Sequence, residues 1–448
     1  MDRTLSSIPV SEWLQNILAG LTVSFVAISL GAAFGVMSGR GALAGIISAG
    51  IIAFLTSLFG GTRIQCSGPT APMTAVTATI VAMATTELEA KIPGANPDHF
   101  INMVILLTGA CIFLLGVLRL GKFITIVPNV VVSGFMDGIA VLIWVGEFKK
   151  LLGLGGTKPL EGPLAANVAV ATITLVMLFT LPKLIRLGGE RLGSFLPATL
   201  ITIGVMSVAV HFLGVPIEHV DLGGGLRSIG DLTTMFTNNW PSTFSLEMLQ
   251  YAAIPVFNLT LLAYLDTLLT SLVVDQKVQE DFGTDEKTAQ NKELLAQGIA
   301  NAAVALIGGI PGAQATIRSV LILKENATLR LAGVLSGLFV LVEMVLFQDL
   351  VSYIPKAVFA GLLIKVGYDV MDWTPITTWF KELTEKPAKP RVPHIDMFFI
   401  AGTTLVTVVL NLNIAVIGFT VLFYVIRWIR PGTEDVSSEV SEGFSDEG

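Results

Sequence analysis

Apolar stretches of roughly 20 residues, the length that crosses a bilayer as a helix, recur along this chain from about residue 14 to residue 428. Lipid leaves a spanning backbone no partner but itself, so runs of this length read as membrane helices. The composition agrees, at 53% hydrophobic and only 14% charged residues. That balance belongs to polytopic membrane proteins rather than soluble globular ones. Polar punctuation divides the runs into about fourteen helices, several of them short. The expected fold class is an all-α polytopic membrane protein.

The helices fall into two groups, residues 12–213 and 247–430, separated by a polar, Gly-rich linker at 214–246 that cannot span. Residues 1–11 precede them, and the acidic, Ser-rich tail 431–448 is expected to be disordered. Lysine and arginine collect in KLIRLGGERLG, LKENATLR, FKELTEKPAKPR and RWIR, which places those segments on the cytoplasmic side. The segment around Glu87, Glu89 and Asp98, and the 214–246 linker, then face outside. Both termini are expected in the cytoplasm of a multi-pass plasma-membrane protein. The start, MDRTLSSIPVSEW, lacks a charged region followed by a small-residue cleavage site, so the first span reads as retained.

Several function classes drop out. No basic block suggests nucleic acid. Cys66 and Cys111 form neither a disulfide framework nor a metal pattern, and the four histidines are scattered. No Ser/His/Asp arrangement supports an enzyme. GLGGTK at 153–158 fails the phosphate-loop spacing. Asn258-Leu259-Thr260 matches a glycosylation acceptor but falls inside an apolar helix, where it is inert.

Two segments break the pattern at matching places. GGTRIQCSGPTAPMTAVTATIVA, residues 60–82, and GGIPGAQATIRSVLIL, residues 308–323, each follow the second long apolar element of their half. Both run from glycines through proline and small residues into a short apolar helix. Paired interruptions at corresponding positions point to a transporter's binding site near the midplane. A helix that starts inside the membrane leaves its first N–H groups unsatisfied and turns its positive end toward the cavity. Two such ends facing each other suit an anion. The competing reading is a pair of kinks in packed helices.

Asp266 is the one charge in IPVFNLTLLAYLDTLLTSLVV, and an intramembrane carboxylate is a functional candidate. Asp266 and Thr270 stand four apart and so face one direction, with Thr267 and Ser271 beside them. A carboxylate and hydroxyls suit a hard cation such as Na⁺. A proton is the rival occupant, and a carboxyl that merely braces the helix is the third reading. Asp137, without an evident partner, is a second candidate that can line a gate. Glu343 reads as facing another helix or a subunit contact, and Glu147, Lys149 and Lys150 as a solvated helix end. Arg318, two turns into a helix taken to start at Pro311, points either into the anion cavity or toward the cytoplasmic end.

At these residues the sequence resembles the SulP family of anion transporters, most closely its BicA-type sodium-dependent bicarbonate transporters. SGPTAPMTAV is similar to the family's third-span entry and YLDTLLTSLVVDQ to its eighth-span motif. QGIANAAVALIGGIPGAQATIRSV resembles the ninth-to-tenth-span stretch, and YIPKAVFAGLLIKVGYDVMDW a distal signature. The likeness covers nearly all of residues 12–430. It implies fourteen spans in two inverted seven-span repeats, with UraA-like core and gate domains, working as a homodimer by an elevator-like movement. It implies that Asp266, Thr270, Gln314, Ala315 and Thr316 hold sodium, and that Thr70, Ala71, Ala315 and Thr316 bind the anion. Three features depart from the pattern. Gln314 stands where glycine is usual in BicA-type chains. Arg318 stands where many sulfate-type members carry arginine. The tail is too short to fold into the family's STAS domain.

The resulting expectation is Na⁺-coupled bicarbonate uptake, with no cofactor beyond the coupling ion and the lipid bilayer as surroundings. The alternative is a proton-coupled sulfate or dicarboxylate transporter, with Asp266 titrating and Arg318 meeting the second negative charge. An anion channel, a membrane scaffold and a nucleobase transporter rank below both.

Overall fold

A computed structural model describes residues 9–156, 158–187, 198–220, 229–240, 245–283, 287–385, 391–410 and 412–429. The acidic tail 431–448, the first eight residues, and parts of KLIRLGGERLG and of the mid-chain linker lie outside the described residues.

Among the described residues the chain forms α1 (Val10–Ser38), α2 (Ala42–Phe59), β1 (Ser67–Gly68), α3 (Ala71–Thr86), α4 (Leu88–Lys91), α5 (Pro97–Val117), α6 (Asn129–Leu152), α7 (Leu164–Leu187), α8 (Ala198–Phe212), α9 (Ile229–Asn239), α10 (Leu246–Phe282), α11 (Gln290–Ala305), β2 (Ala313–Gln314), α12 (Thr316–Lys324), α13 (Leu331–Val351), α14 (Lys356–Val370), α15 (Trp373–Glu385), α16 (His394–Val409) and α17 (Leu412–Ile429). Setting aside α4, α9 and α15, seven helices among the described residues lie before residue 213 and seven after residue 245.

Local chemistry fixes several ends. Asn96 accepts from the N–H groups of Asp98 and His99, and Pro97 opens α5. Ser245 accepts from Met248 N at the start of α10, and Gly283, at φ 62°, ends it. Among the described residues, six helices are both long and apolar enough to cross a membrane: α1, α2, α5, α6, α7 and α10. Five shorter apolar helices lie in α3, α8, α13, α16 and α17. α11 meets neither description, because Glu293, Gln297 and Asn301 interrupt its apolar surface.

The chain divides into two compact units, Met1–Lys122 with Pro159–Leu362, and Phe123–Lys158 with Leu363–Gly448. In the first, α11 packs against α5 and α2, and α13 against α1 and α2. The α5 contact is close enough to require glycine: a Cβ on Gly298 would stand 2.5 Å from Phe113 N and 2.7 Å from Gly109 O. Backbones approach this way in membranes, where small residues replace the hydrophobic effect as the basis of helix association. Ile52, Ala300 and Val304 form part of the fully buried interior that seats α11. Glu343 faces another helix, as expected: Ser24 Oγ on α1 donates to its Oε1 at 2.6 Å.

In the second unit, two expectations are corrected. Asp137 has a partner, since Asp372 N donates to its Oδ1 at 2.8 Å while Ser133 Oγ donates to Asp372 Oδ2 at 2.6 Å. Glu147 is not part of a solvated end. It is buried and pairs with Lys150 at 3.2 Å, because α6 turns that face inward.

Polar stretches read as linkers also hold helices. α9 lies within the 214–246 segment and is tied to α5 by Asn102 Nδ2, which donates to Asn239 O at 2.9 Å. α15 occupies the WTPITTWFKELTE stretch. Each has one apolar face too narrow to register as a membrane span.

Candidate site for an anion and a coupling ion

The two broken segments meet. β1 and β2 pair antiparallel, with Ser67 opposite Gln314 and Gly68 opposite Ala313. Each two-residue strand satisfies its backbone on the other, which is how non-helical chain survives at membrane depth. α3 then starts after Thr70 and α12 after Ala315, and neither start carries a side-chain cap. Their first-turn N–H groups are therefore left for another partner.

α10 reaches both starts. Thr70 Oγ1 donates to Asp266 Oδ2 at 2.6 Å. One turn further along, the hydroxyls of Thr270 and Thr316 lie 2.8 Å apart. Thr267 Oγ1 is buried without a hydrogen-bond partner among the described residues.

Arg318 crosses from α12 to the other segment. It is 1% exposed, and Nη2 donates to Pro69 O at 3.0 Å. Nε and Nη1 have no acceptor among the described residues. The guanidinium lies over Gly68, where a Cβ would stand 2.7 Å from Nη1 and 2.8 Å from Nη2. Gly68 is therefore needed for the close approach, and its φ of 153° also favours glycine. A buried guanidinium with two unpartnered donor nitrogens beside two uncapped helix starts is suited to an oxyanion. The carboxylate and the threonine hydroxyls supply oxygen ligands of the kind a hard cation takes.

Residues 14–385 match the sulfate permease family. The chain belongs to that family. Bicarbonate transporter BicA of a Picosynechococcus species is 30% identical over 416 residues, which are 90% of this chain and 68% of the relative. BicA of a Synechocystis species is 32% identical over 370 residues, 80% of this chain and 61% of the relative. Among solved structures, the transmembrane domain of a cyanobacterium bicarbonate transporter BicA matches with a TM-score of 0.71 at 28% identity, covering 91% of this chain and 98% of that one. A sulfate permease family chain of this kind is a multi-pass, all-α anion transporter and not an enzyme.

Within the family frame, Thr70, Ala71, Ala315 and Thr316 sit at the two helix starts, and Asp266 and Thr270 bond to them. Gln314 is placed differently. Its one side-chain hydrogen bond among the described residues comes from Thr62 Oγ1 at 3.4 Å, and its Nε2 is buried without a partner. It therefore makes no hydrogen bond to Asp266 or Thr270. Arg318 lies in the first turn of α12 rather than two turns in, since residues 313–314 are taken by the strand pair and the helix cannot begin before them. Its guanidinium reaches the other broken segment, at Pro69.

Sequence reasoning missed the stripe Glu293, Gln297 and Asn301 on α11, all 0% exposed. Glu293 Oε2 accepts from Gly61 N at 2.8 Å, Thr62 N at 3.0 Å and Gln65 Nε2 at 2.9 Å. Gln297 Nε2 donates to Ser67 Oγ at 2.7 Å and to Glu293 Oε1 at 3.2 Å. Ser67 Oγ donates in turn to Gln65 Oε1 at 3.0 Å. Asn301 brackets Gly312, donating to its O at 3.0 Å and accepting from its N at 2.9 Å. The available signal was three amide or carboxyl residues spaced by four, which share one face of a helix.

Proposed function

We propose that the chain is a secondary active transporter that takes up bicarbonate together with Na⁺ by an elevator-like movement of the unit bearing the site. The observation that carries this reading is the pair of contacts from α10. Asp266 and Thr270, one turn apart, bond to Thr70 and Thr316, the residues at the two half-helix starts. A cation held by Asp266 and Thr270 would fix both starts at once, so that anion affinity depends on the cation.

Charge balance supports the choice of partners. Arg318 and Asp266 cancel in the empty site. Adding Na⁺ and a monovalent anion keeps the sum at zero, which matters because unbalanced charge at membrane depth costs several kcal/mol. A dianion beside a protonated Asp266 would leave one net negative charge. The names of the two BicA relatives agree with bicarbonate. The transporter is further read as a homodimer in the plasma membrane with both termini cytoplasmic.

Proton-coupled transport of sulfate or a dicarboxylate is the second reading, favoured by the two free donors of Arg318, which can meet a second negative charge. Purified protein in liposomes, given labelled bicarbonate or sulfate under an imposed Na⁺ or H⁺ gradient, separates the two. Bicarbonate uptake driven by Na⁺ is the expected result. Sulfate uptake driven by protons would replace the first reading with the second.

A further inference from the structure

We propose that Glu293 is a positioning residue of the anion site, acting through Gln65, Ser67 and Gln297 on the strand pair that carries both helix starts. The inference rests on the placement of the anion between α3 and α12 given under Proposed function.

The four side chains form a closed ring. Gln65 donates to Glu293, Ser67 to Gln65, and Gln297 to both Ser67 and Glu293. Glu293 is its only charged member and takes two further bonds from the backbone of Gly61 and Thr62. A buried carboxylate accepting several N–H bonds is a rigid anchor, because each donor loses its partner if the carboxylate moves. The ring leads directly into the site. Ser67 is opposite Gln314 in the strand pair, and the next residues, Pro69 and Thr70, receive Arg318 and bond to Asp266. Two turns along the same face of α11, Asn301 holds Gly312, just before the other strand. One helix face therefore grips both broken segments, and Glu293 touches neither the ion nor the anion.

A positioning role and a structural one differ in what they change. Glu293→Gln puts an amide where only acceptors fit, and Gln297→Met removes the donor to Ser67 with less disturbance of the core. Val304→Ala, in the interior of the same helix, lowers stability without touching the ring. For each, initial uptake rates in liposomes give the half-saturation concentration and maximal rate, and hydrogen exchange by mass spectrometry reports on residues 61–70 and 313–318. Both ring variants are expected to raise the anion half-saturation by about tenfold or more, the scale of one lost buried hydrogen bond, with little change in maximal rate. They are also expected to speed exchange on both sides of the strand pair. Val304→Ala should do neither. An unchanged half-saturation, the same rise in Val304→Ala, faster exchange confined to residues 61–62, or loss of folded protein in both ring variants would overturn the proposal. If the wild-type protein takes up sulfate instead of bicarbonate, the bicarbonate reading fails. The ring is then tested on the sulfate half-saturation and on exchange.

Discussion

Replacing Arg318 by lysine keeps a positive charge opposite Asp266 but removes the planar fork. In the structure one donor, Nη2, is spent on Pro69 O at 3.0 Å, and Nε and Nη1 remain for an anion. A lysine ammonium is a point donor that cannot reproduce that geometry, so at least one charged hydrogen bond to the anion is lost. Such a bond contributes about 1.5–3 kcal/mol, which converts to a rise in anion half-saturation of about 10- to 150-fold. Initial-rate uptake of labelled bicarbonate against its concentration, at saturating Na⁺, reads the lysine variant. The Na⁺ half-saturation at saturating anion should stay close to wild type. A wild-type bicarbonate half-saturation in Arg318→Lys, or a change falling on Na⁺ instead, would refute the assignment of Arg318 to the anion.

Two other substitutions test the surroundings. Gly68→Ala places a Cβ 2.7 Å from Arg318 Nη1, on a backbone at φ 153° that disfavours side chains. Because the clash falls on the movable end of a side chain, the protein should still fold, destabilised by more than about 1 kcal/mol through the backbone strain, with weakened anion affinity; unchanged affinity in a flux assay would show that the guanidinium is not held by that clearance. Glu343→Gln keeps the acceptor used by Ser24 and neutralises a carboxyl whose Oε2 has no partner among the described residues. Thermal unfolding in detergent should show equal or higher stability and uptake the same Na⁺ dependence, whereas lost dependence would place Glu343 in the coupling path.

Features with a local physical signature were legible in the sequence. Continuous apolar runs specify membrane helices, and Gly/Pro interruptions mark where a helix must restart. Asp266 and Thr270 were readable because four-residue spacing fixes their common face whatever surrounds them. Pairing of Ser67 with Gln314 was not readable, since it joins residues far apart in the chain and two-residue strands have no periodicity to detect. The start of α12 followed from that pairing, and so did the direction of Arg318. Glu293 closes a charged stretch of sequence with no local sign of burial, because its partners are backbone N–H groups from the α2–β1 turn. α9 and α15 escaped for a different reason: each has a single apolar face among polar residues, which hydropathy over a membrane-length window averages away.

In the function we propose, Asp266 holds the coupling cation and, with Thr270, ties it to both half-helix starts. Its most direct test is the Na⁺ dependence of labelled bicarbonate uptake by Asp266→Asn in liposomes, beside the wild-type protein. Asparagine can still accept from Thr70, so the local hydrogen bond is kept while the charge is removed. Na⁺-stimulated uptake is expected to disappear although the variant folds and inserts normally. Na⁺ stimulation of wild-type size and half-saturation in that variant would contradict it.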